Sequence, residues 1–229
     1  YQFHDFELVE VGRVLKKKGK KVIFDSHENW SDVIPLYFHF KIGKYLGAKF
    51  IHFYYKIVLP KFDAIFSVSP NMVDRLKLYN ANTFFVSNYP SIKNIKSNDS
   101  IDKENSFIYQ GTVYEYSNQD VIVKALSLVS SDTKYRIVGS ISDRLKESIL
   151  NLDKKNRVEI LGWIEKEELD TIMKSSLCGI VILDYVPFCC DKEGQLGSNK
   201  IFEYMTCGLP IICTDFILWK ELIIDKYNC

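Results

Sequence analysis

Residues 194–214 read GQLGSNKIFEYMTCGLPIICT and place a polar helix start immediately before a buried strand. Ser198 is a residue type that caps helices, residues 199–206 continue as a helix, and Gly208 with Pro210 end it. The apolar residues after Pro210 form the strand. A helix that leads directly into a buried strand is typical of an α/β fold with a parallel sheet.

The start of this predicted helix has the chemistry of a diphosphate site. The backbone amides that follow Gly197 and Ser198, beginning with Asn199, lack helix partners and, together with the helix dipole, attract anions. Lys200 adds a mobile positive charge, and Glu203, one turn further on, can accept hydrogen bonds from sugar hydroxyls. The alternative for Glu203 is an ordinary solvated carboxylate. The pattern favours a nucleotide-linked ligand.

Over nearly its whole length the chain resembles the GT-B glycosyltransferases of family 4. The segment GSNKIFEYMTCGLPIICTDFILWKELI (197–223) is similar to the family's carboxyl-terminal signature. Three earlier segments match family regions in the same order, namely YQFHDFELVEVGRVLKKKGKKVIFDSHE (1–28), FIYQGTVYEYSNQDVIVKAL (107–126) and VEILGWIEKEELDTIMKSSLCGIVIL (158–183). The resemblance implies an α/β GT-B fold of two Rossmann-like lobes with parallel sheets, the N-terminal lobe incomplete, and a nucleoside diphosphate sugar as donor.

The resemblance also implies roles for single residues of the donor lobe. Glu203 resembles the second glutamate of the family's Glu-x7-Glu motif, which binds the ribose in relatives, and Gln195 stands where the first would fall. An amide still bonds a sugar hydroxyl but supplies no negative charge. Relatives commonly carry an arginine in the region of Ser117 and Asn118, so we expect weaker stabilisation of the leaving diphosphate here.

Two strand ends of the donor lobe supply further candidates. Gly111 ends the predicted strand 107–110, and its missing side chain lets the backbone approach a phosphate closely. Asp184 ends the predicted strand 178–183 and is expected to line the donor-sugar pocket. Both positions lie where ligands usually contact a parallel sheet.

The first lobe has polar side chains at a strand end as well. Asp25, His27 and Glu28 follow the apolar strand 22–24. His27 resembles the family's loop histidine near the reacting sugar, and Asp25 is placed to fix its tautomer. A structural histidine that caps the loop is the alternative.

A second polar pair lies at a neighbouring strand end. His4 and Asp5 resemble the family's His-Asp pair. Asp5 is also placed to cap a helix whose apolar positions Leu8, Val11 and Leu15 share one face. We therefore rank this pair after His27 as a site candidate.

The composition excludes several classes of protein. A length of 229 residues with 47% hydrophobic side chains suffices for two α/β lobes. Thirty basic and 29 acidic side chains give a net charge of +1, which supplies no general field for nucleic acid. The six cysteines show no metal-ligand spacing and indicate a reduced, cytoplasmic compartment, with a redox-active Cys189–Cys190 pair as the alternative. We expect no metal site and no cofactor.

The polar segment 91–106 predicts a linker between two lobes. The acceptor-side lobe is then 1–90 and the donor lobe 107–229. The chain has no initiating Met and stops at residue 229 just after a predicted helix, so we expect a fragment, incomplete at both ends and with doubtful activity of its own.

Residues 36–59 form a helix-length stretch in which aromatic residues alternate with lysines. The favoured interpretation is a core-packing helix or helical pair whose lysines extend to water. The alternative is a peripheral membrane contact, because basic aromatic helices of this kind lie on membrane surfaces. The sequence shows no apolar run of about 20 residues and no signal peptide.

The leading hypothesis is a glycosyltransferase that moves a sugar from a nucleotide sugar to a hydroxyl of a glycan or lipid-linked acceptor. His27, Lys200 and Glu203 are the expected catalytic residues. The resemblance implies retention at the anomeric carbon, a role in bacterial surface polysaccharide or glycolipid synthesis, and a cytoplasmic location at the inner membrane face. Two alternatives remain: a non-catalytic GT-B-like partner in a glycan-assembly complex, and an epimerase acting on a nucleotide sugar.

Overall fold

The structure, a computed structural model, describes residues 1–28, 30–90, 102–130 and 132–226. Strands and helices alternate along these ranges, and the strands form two sheets in which all pairs are parallel. Parallel neighbours need long crossover connections, which the helices supply. The predicted α/β class with parallel sheets is confirmed.

The first sheet holds its four strands in the order of the chain, β1-β2-β3-β4. Its elements are β1 (Gln2–Phe3), α1 (Val9–Lys17), β2 (Ile23–Ser26), α2 (Trp30–Val33), α3 (Lys41–Val58), β3 (Ala64–Ser67), α4 (Pro70–Lys77) and β4 (Thr83–Phe85). Phe3 is in register with Phe24. The residues that follow β1 and the end of β2 therefore lie side by side at one edge of this sheet.

The second sheet has the strand order β7-β6-β5-β8-β9. Its elements are β5 (Ser106–Gln110), α5 (Gln119–Ala125), β6 (Lys134–Val138), α6 (Asp143–Leu152), β7 (Val158–Gly162), α7 (Lys166–Ser175), β8 (Cys178–Val181), α8 (Asn199–Thr206) and β9 (Ile211–Cys213), and a short α9 (Ile217–Trp219) follows. The strand order reverses between β5 and β8. In open α/β sheets, ligands bind beyond the carboxyl ends of the strands at such a reversal.

The chain divides into two compact units, and it passes between them more than once. The first unit comprises Tyr1–Asn88, Tyr185–Gly197 and Phe216–Cys229, and the second comprises Tyr89–Asp184 and Ser198–Asp215. The predicted donor lobe, 107–229, therefore contributes two segments to the first unit. Residues 91–101 of the predicted linker lie outside the described residues, and Ser106 already begins β5.

Each sheet has its own apolar core. In the first, the rings of Phe3 and Phe24 stack with their centroids 5.1 Å apart, and Ile65 of β3 is fully buried beside them. In the second, Tyr135 and Ile137 of β6 are fully buried. Burial of such side chains stabilises a fold by about 1.5 to 3 kcal/mol each.

The buried face of helix α1 differs from the predicted face. Val9 and Gly12 are buried, whereas Leu8 and Val11 of the predicted apolar face are 41% and 53% exposed. Leu15, the third position of the predicted face, is partly buried against the core of the first sheet, and a turn of 3-10 helix at residues 6–8 precedes α1. Asp5 occupies the N-cap position of this 3-10 turn, as predicted for a helix start, but its side chain forms no capping hydrogen bond.

Helix α3 buries a narrow stripe and exposes most of its large apolar side chains. The buried stripe consists of Gly43, Gly47, Ile51, Tyr55 and Val58. The exposed apolar side chains are Ile42, Tyr45, Leu46, Phe50, Phe53 and Ile57. Within the described residues, α3 and every other helix fall short of the length and apolar character needed to cross a membrane.

Candidate functional site

Helix α8 is anchored beneath the ends of β5 and β8 by the buried ring of Tyr204. Its hydroxyl accepts a hydrogen bond from the Gln110 amide (3.1 Å) and donates one to the Ile108 carbonyl (3.3 Å). A Cβ at Gly179 of β8 would approach this ring to 2.4 Å, so only glycine leaves room for it. This packing fixes where the polar side chains of α8 lie relative to β5.

Lys200, in the first turn of α8, extends to the turn that follows β5. A Cβ at Gly111 would lie 2.9 Å from the Lys200 Nζ, and the ammonium also lies 5.5 Å from the centre of the Tyr109 ring. Gly111 has a φ of +103°, a conformation that other residues rarely adopt. The fold therefore brings together the predicted phosphate ligands Gly111 and Lys200.

Glu203 lies one turn further along α8 at the same strand end. Its Oε2 accepts a hydrogen bond from the Gln110 side-chain amide, and its Oε1 lies 3.8 Å from the Lys166 Nζ of α7. Burial opposes the charge of Lys166, but its hydrogen bond to Asp170 and the charge of Glu203 more than offset this, so the pKa of Lys166 is raised. The Glu203 carboxylate is therefore held by Gln110 and Lys166 and is not freely solvated.

The start of α8 divides between the two units. Ser198 and Asn199 belong to the second unit with Lys200, and the Ser198 side chain forms no capping hydrogen bond. Gln195 and Gly197 belong to the first unit. There the Gln195 Oε1 accepts a hydrogen bond from the Gly197 amide (2.9 Å), so the side-chain amide is already engaged in its own loop.

The other donor-lobe candidates contact each other near the ends of β5 and β8. Asp184 accepts a hydrogen bond from the Asn118 side chain (2.8 Å), and its amide donates to the Tyr116 carbonyl (2.8 Å). Ser117 is fully buried, and its hydroxyl donates to the Tyr114 carbonyl. Ser117 therefore closes a turn, while Asp184 remains with Lys200 and Glu203 in the second unit.

In the first unit, three predicted site residues meet at the ends of β1 and β2. The Nδ1 of His4 lies 3.2 Å from Asp25 Oδ2, and the Nε2 of His27 lies 3.3 Å from Asp25 Oδ1. The two histidine nitrogens are 3.4 Å apart. The sequence analysis placed these residues at neighbouring strand ends and paired Asp25 with His27, but the contacts of His4 with both depend on the register of β1 and β2.

Glu28 and Asp5 lie in the same region of the first unit. Burial and the negative charges of Asp5 and Glu7 raise the pKa of Glu28, and His27 opposes this only in part. Asp5 is exposed, and its side chain forms no capping hydrogen bond. It stays a secondary candidate for the site.

The cysteine pair does not have the surroundings of a redox site. Cys189 and Cys190 are both buried. Burial raises the pKa of Cys190 to about 12, which suppresses the reactive thiolate. The loop interpretation of this pair is therefore favoured.

The sequence analysis did not identify four residues that contact these clusters. Gln110 and Lys166 hold Glu203, Gln2 donates to Asp25 Oδ2 (2.9 Å), and the side-chain amide nitrogen of Asn88 lies 3.4 Å from His27 Nδ1. Gln110 ends β5, which was a usable signal because strand ends contact ligands. The other three offered no signal, since their contacts arise only on folding.

The polar groups at the ends of β5 and β8 in the second unit can bind an anion that carries hydroxyl groups. Lys200 and the glycine backbone at 111 offer positive charge and close approach, and the first-turn amides of α8 add donors. Glu203 and Asp184 offer acceptors for hydroxyls. All of these belong to one unit and lie at the reversal of the strand order.

Comparison with known proteins agrees with this arrangement. The model of the family described as glycosyl transferases group 1 matches residues 91–228, which is more than half of the chain. No curated protein matches the chain in sequence.

Solved structures resemble the chain in fold. Sucrose-phosphate synthase from Thermosynechococcus elongatus has a TM-score of 0.66 at 15% identity, covering 93% of this chain and 55% of its own. HepE from Anabaena, solved with UDP-glucose, has a TM-score of 0.65 at 14% identity, covering 93% and 59%. A mutant of TarM from S. aureus, solved with UDP, fondaparinux and α-GlcNAc-glycerol, has a TM-score of 0.61 at 13% identity, covering 90% and 39%.

The chain thus spans less than two thirds of the length of these solved proteins. At such identities the likeness concerns the fold, in which two lobes each carry a parallel sheet. The matched family region includes β5, α8 and β9 together with the cluster at the end of β5. The chain has the GT-B fold and belongs to the glycosyl transferases group 1 family.

Proposed function

We propose that the protein is a glycosyltransferase that moves a sugar from a nucleoside diphosphate sugar to a hydroxyl group of a glycan or lipid-linked acceptor. The observation that carries the proposal is the meeting of Gly111, Lys200 and Glu203 at the end of β5. The family model matches the region of the chain that contains all three residues. Structural neighbours solved with UDP or UDP-glucose support a nucleotide sugar as donor.

In this proposal the second unit holds the donor. The Lys200 ammonium and the first-turn amides of α8 neutralise the departing diphosphate, and Glu203 accepts hydrogen bonds from the ribose. Because these groups carry the charge, the donor needs no metal ion on its diphosphate. Preplaced charge of this kind lowers the barrier without reorganisation during the reaction.

His27 is proposed to position the reacting sugar or the acceptor hydroxyl, with retention of configuration at the anomeric carbon. Its contact with Asp25 supports a fixed ring orientation. Surface polysaccharide or glycolipid synthesis in bacteria, at the cytoplasmic face of the membrane, is the proposed setting.

The test of donor binding is calorimetry with UDP, GDP and ADP. We expect one of them to bind the chain, and Lys200→Ala to weaken that binding by about ten- to a hundredfold, because it removes a charged hydrogen bond of about 1.5 to 3 kcal/mol. Lys146→Ala, at an exposed lysine of α6, serves as the matched control. Equal effects of the two substitutions would remove Lys200 from the site.

Membrane contact through residues 36–59 is proposed from the exposed face of α3. Its aromatic and aliphatic side chains lie among Lys41, Lys44, Lys49 and Lys56, and Lys49 Nζ is 4.5 Å from the centre of the Tyr45 ring. Apolar rings among lysines suit an anionic lipid surface. Sedimentation with vesicles should show binding to anionic but not zwitterionic phospholipid, and should be lost in Phe50→Ser/Phe53→Ser.

A non-catalytic GT-B partner is a second candidate, favoured by two specific observations. Ser117, in the region where relatives carry an arginine, is buried in a turn, and the Gln195 amide is engaged within its own loop. Such a partner would bind nucleotide without turnover. Product analysis with a bound nucleotide sugar and a hydroxyl acceptor separates the two candidates.

A further inference from the structure

We propose that His4, Asp25 and His27 form a binding site for a divalent metal ion that prefers nitrogen and oxygen ligands, with Zn²⁺ as the best match. Register places these residues together. Gln2 and Phe3 of β1 pair with Ile23 and Phe24 of β2, so His4 follows β1 beside Asp25, and His27 comes directly after β2. All three residues belong to the first unit.

The spacing of the three donor atoms fits one metal ion. His4 Nδ1, His27 Nε2 and the Asp25 carboxylate oxygens are separated by 3.2, 3.3 and 3.4 Å. In a tetrahedral site with metal–ligand bonds of about 2.0 to 2.1 Å, neighbouring ligand atoms are about 3.3 to 3.4 Å apart. The two Asp25 distances are to different carboxylate oxygens, but one ligand atom from each of the three residues lies within 4.8 Å of the other two, so all three residues can reach one ion, with a further position for water or a substrate oxygen.

The contacts within the cluster are longer than the strongest hydrogen bonds to a carboxylate. Charge-assisted hydrogen bonds between nitrogen and a carboxylate are about 2.7 to 2.9 Å long. The shortest contact here, between His4 and Asp25, is 3.2 Å. Where the ring nitrogens that face Asp25 are unprotonated, lone pairs meet at this range, and a metal ion between them would supply the positive charge that holds the three groups together.

Neighbouring side chains orient two of the three ligands. Gln2 Nε2 donates to Asp25 Oδ2 at 2.9 Å, which fixes the carboxylate. The amide of Asn88 lies 3.4 Å from the far ring nitrogen of His27, Nδ1. The structure places the amide nitrogen of Asn88 on that side, and a half-turn of the amide would let its oxygen accept the Nδ1 proton and leave the Nε2 lone pair for the metal.

Exposure of the ligands allows an ion to enter. The side chain of His4 is 56% exposed and that of His27 is 38% exposed, while that of Asp25 is 11% exposed. Two imidazoles with one carboxylate favour Zn²⁺ over Mg²⁺, which takes oxygen ligands. A bound ion would tie the end of β1 to the end of β2 in the first unit.

The test is calorimetric titration of the full 229-residue chain with ZnCl₂, and with MgCl₂ for comparison. We expect a single saturable Zn²⁺ site and no comparable Mg²⁺ binding. His4→Ala and His27→Ala should each lower Zn²⁺ affinity at least about 100-fold, because even the outer partners of metal ligands are worth 10- to 100-fold. His39→Ala, at an exposed histidine between β2 and α3, should leave the affinity unchanged.

Three additional measurements make the result decisive. Asn88→Ala should weaken Zn²⁺ binding by about 10-fold or more without touching a ligand, and urea unfolding of each metal-free variant shows whether it folds. The visible spectrum of the Co²⁺-loaded chain should lack the intense thiolate band that cysteine ligands give. Absence of saturable Zn²⁺ binding, a thiolate band, or equal losses in His4→Ala and His39→Ala would overturn the proposal.

Discussion

The glycine at position 111 illustrates how a single missing side chain can build a site. A Cβ there would lie 2.8 Å from Lys200 Cε and 2.9 Å from its Nζ, so the ammonium occupies the space that other residue types would fill. We predict that Gly111→Ala displaces Lys200 and weakens nucleotide binding by about tenfold or more, in line with the loss of a charged hydrogen bond. Calorimetry with the nucleotide that binds the unaltered chain measures this.

Gly208 provides the control for backbone strain. Its φ is +62°, and a Cβ there would meet nothing within 4 Å. Gly208→Ala should therefore lower stability, as Gly111→Ala does, because alanine is strained at positive φ. Nucleotide affinity should fall only in Gly111→Ala, and a similar fall in both variants would contradict the proposed contact with Lys200.

A second residue-scale prediction concerns Glu28. Burial, with the charges of Asp5 and Glu7, raises the pKa of this carboxyl, so the folded state favours its protonated form. Its stabilising contribution is full below the unfolded pKa of about 4.3 and is lost as the pH rises through the folded value. Glu28→Gln should thus be more stable than the unaltered chain at pH 7, with the gap closing below about pH 4.

Urea unfolding midpoints at the two pH values measure this difference. Glu147→Gln, at an exposed glutamate of α6, is the matched control and should shift little at either pH. A destabilised Glu28→Gln at neutral pH would show that the carboxylate has a stabilising partner that outweighs its burial.

At the scale of elements, Asp63 ties α1 to the strand that follows it. The hydrogen bond from Lys16 of α1 (2.7 Å), with those from the Val22 amide (2.8 Å) and Lys21 (2.9 Å), holds the pKa of Asp63 well below its usual range. A lowered pKa contributes stability above the unfolded value of about 3.9, and the contribution is lost as the pH falls toward the folded value.

We therefore predict that Asp63→Asn lowers the urea midpoint at pH 7, and that the difference from the unaltered chain shrinks in acid below about pH 4. Asp74→Asn is the control, because Asp74 is exposed and its contact with Lys77 is 3.9 Å long. If both variants lose equal stability at pH 7, the connection between α1 and β2 does not depend on Asp63.

Elements also show what the sequence could and could not predict. Apolar runs separated by helix starts predicted the strands around β5 and β8, because alternation of this kind has few other solutions. Of the face predicted for α1, Leu15 packs against the core but Leu8 and Val11 are exposed, because tertiary packing and not the apolar pattern alone decides which side of a helix is covered. The contact between Lys166 and Glu203 was beyond prediction, because it depends on how α7 and α8 pack.

At the scale of the whole molecule, the chain crosses between its units within the very motif that decides the fold. Gln195 and Gly197 belong to the first unit, whereas Ser198 and the residues of α8 belong to the second. The sequence showed one continuous motif, since the order of residues does not record which core each one joins. The candidate donor ligands Gly111, Lys200 and Glu203 nevertheless all fall in the second unit.

This division predicts where ligands change local stability. A ligand that binds only the native state stabilises the segments that hold it, and amide hydrogen exchange resolves those segments. The nucleotide should slow exchange after β5 and in the first turn of α8 more than anywhere in the first sheet, whereas Zn²⁺ should slow it at the ends of β1 and β2. Lys200→Ala should abolish only the first effect and His4→Ala only the second. Protection by the nucleotide centred on the first sheet would place its site on the other unit.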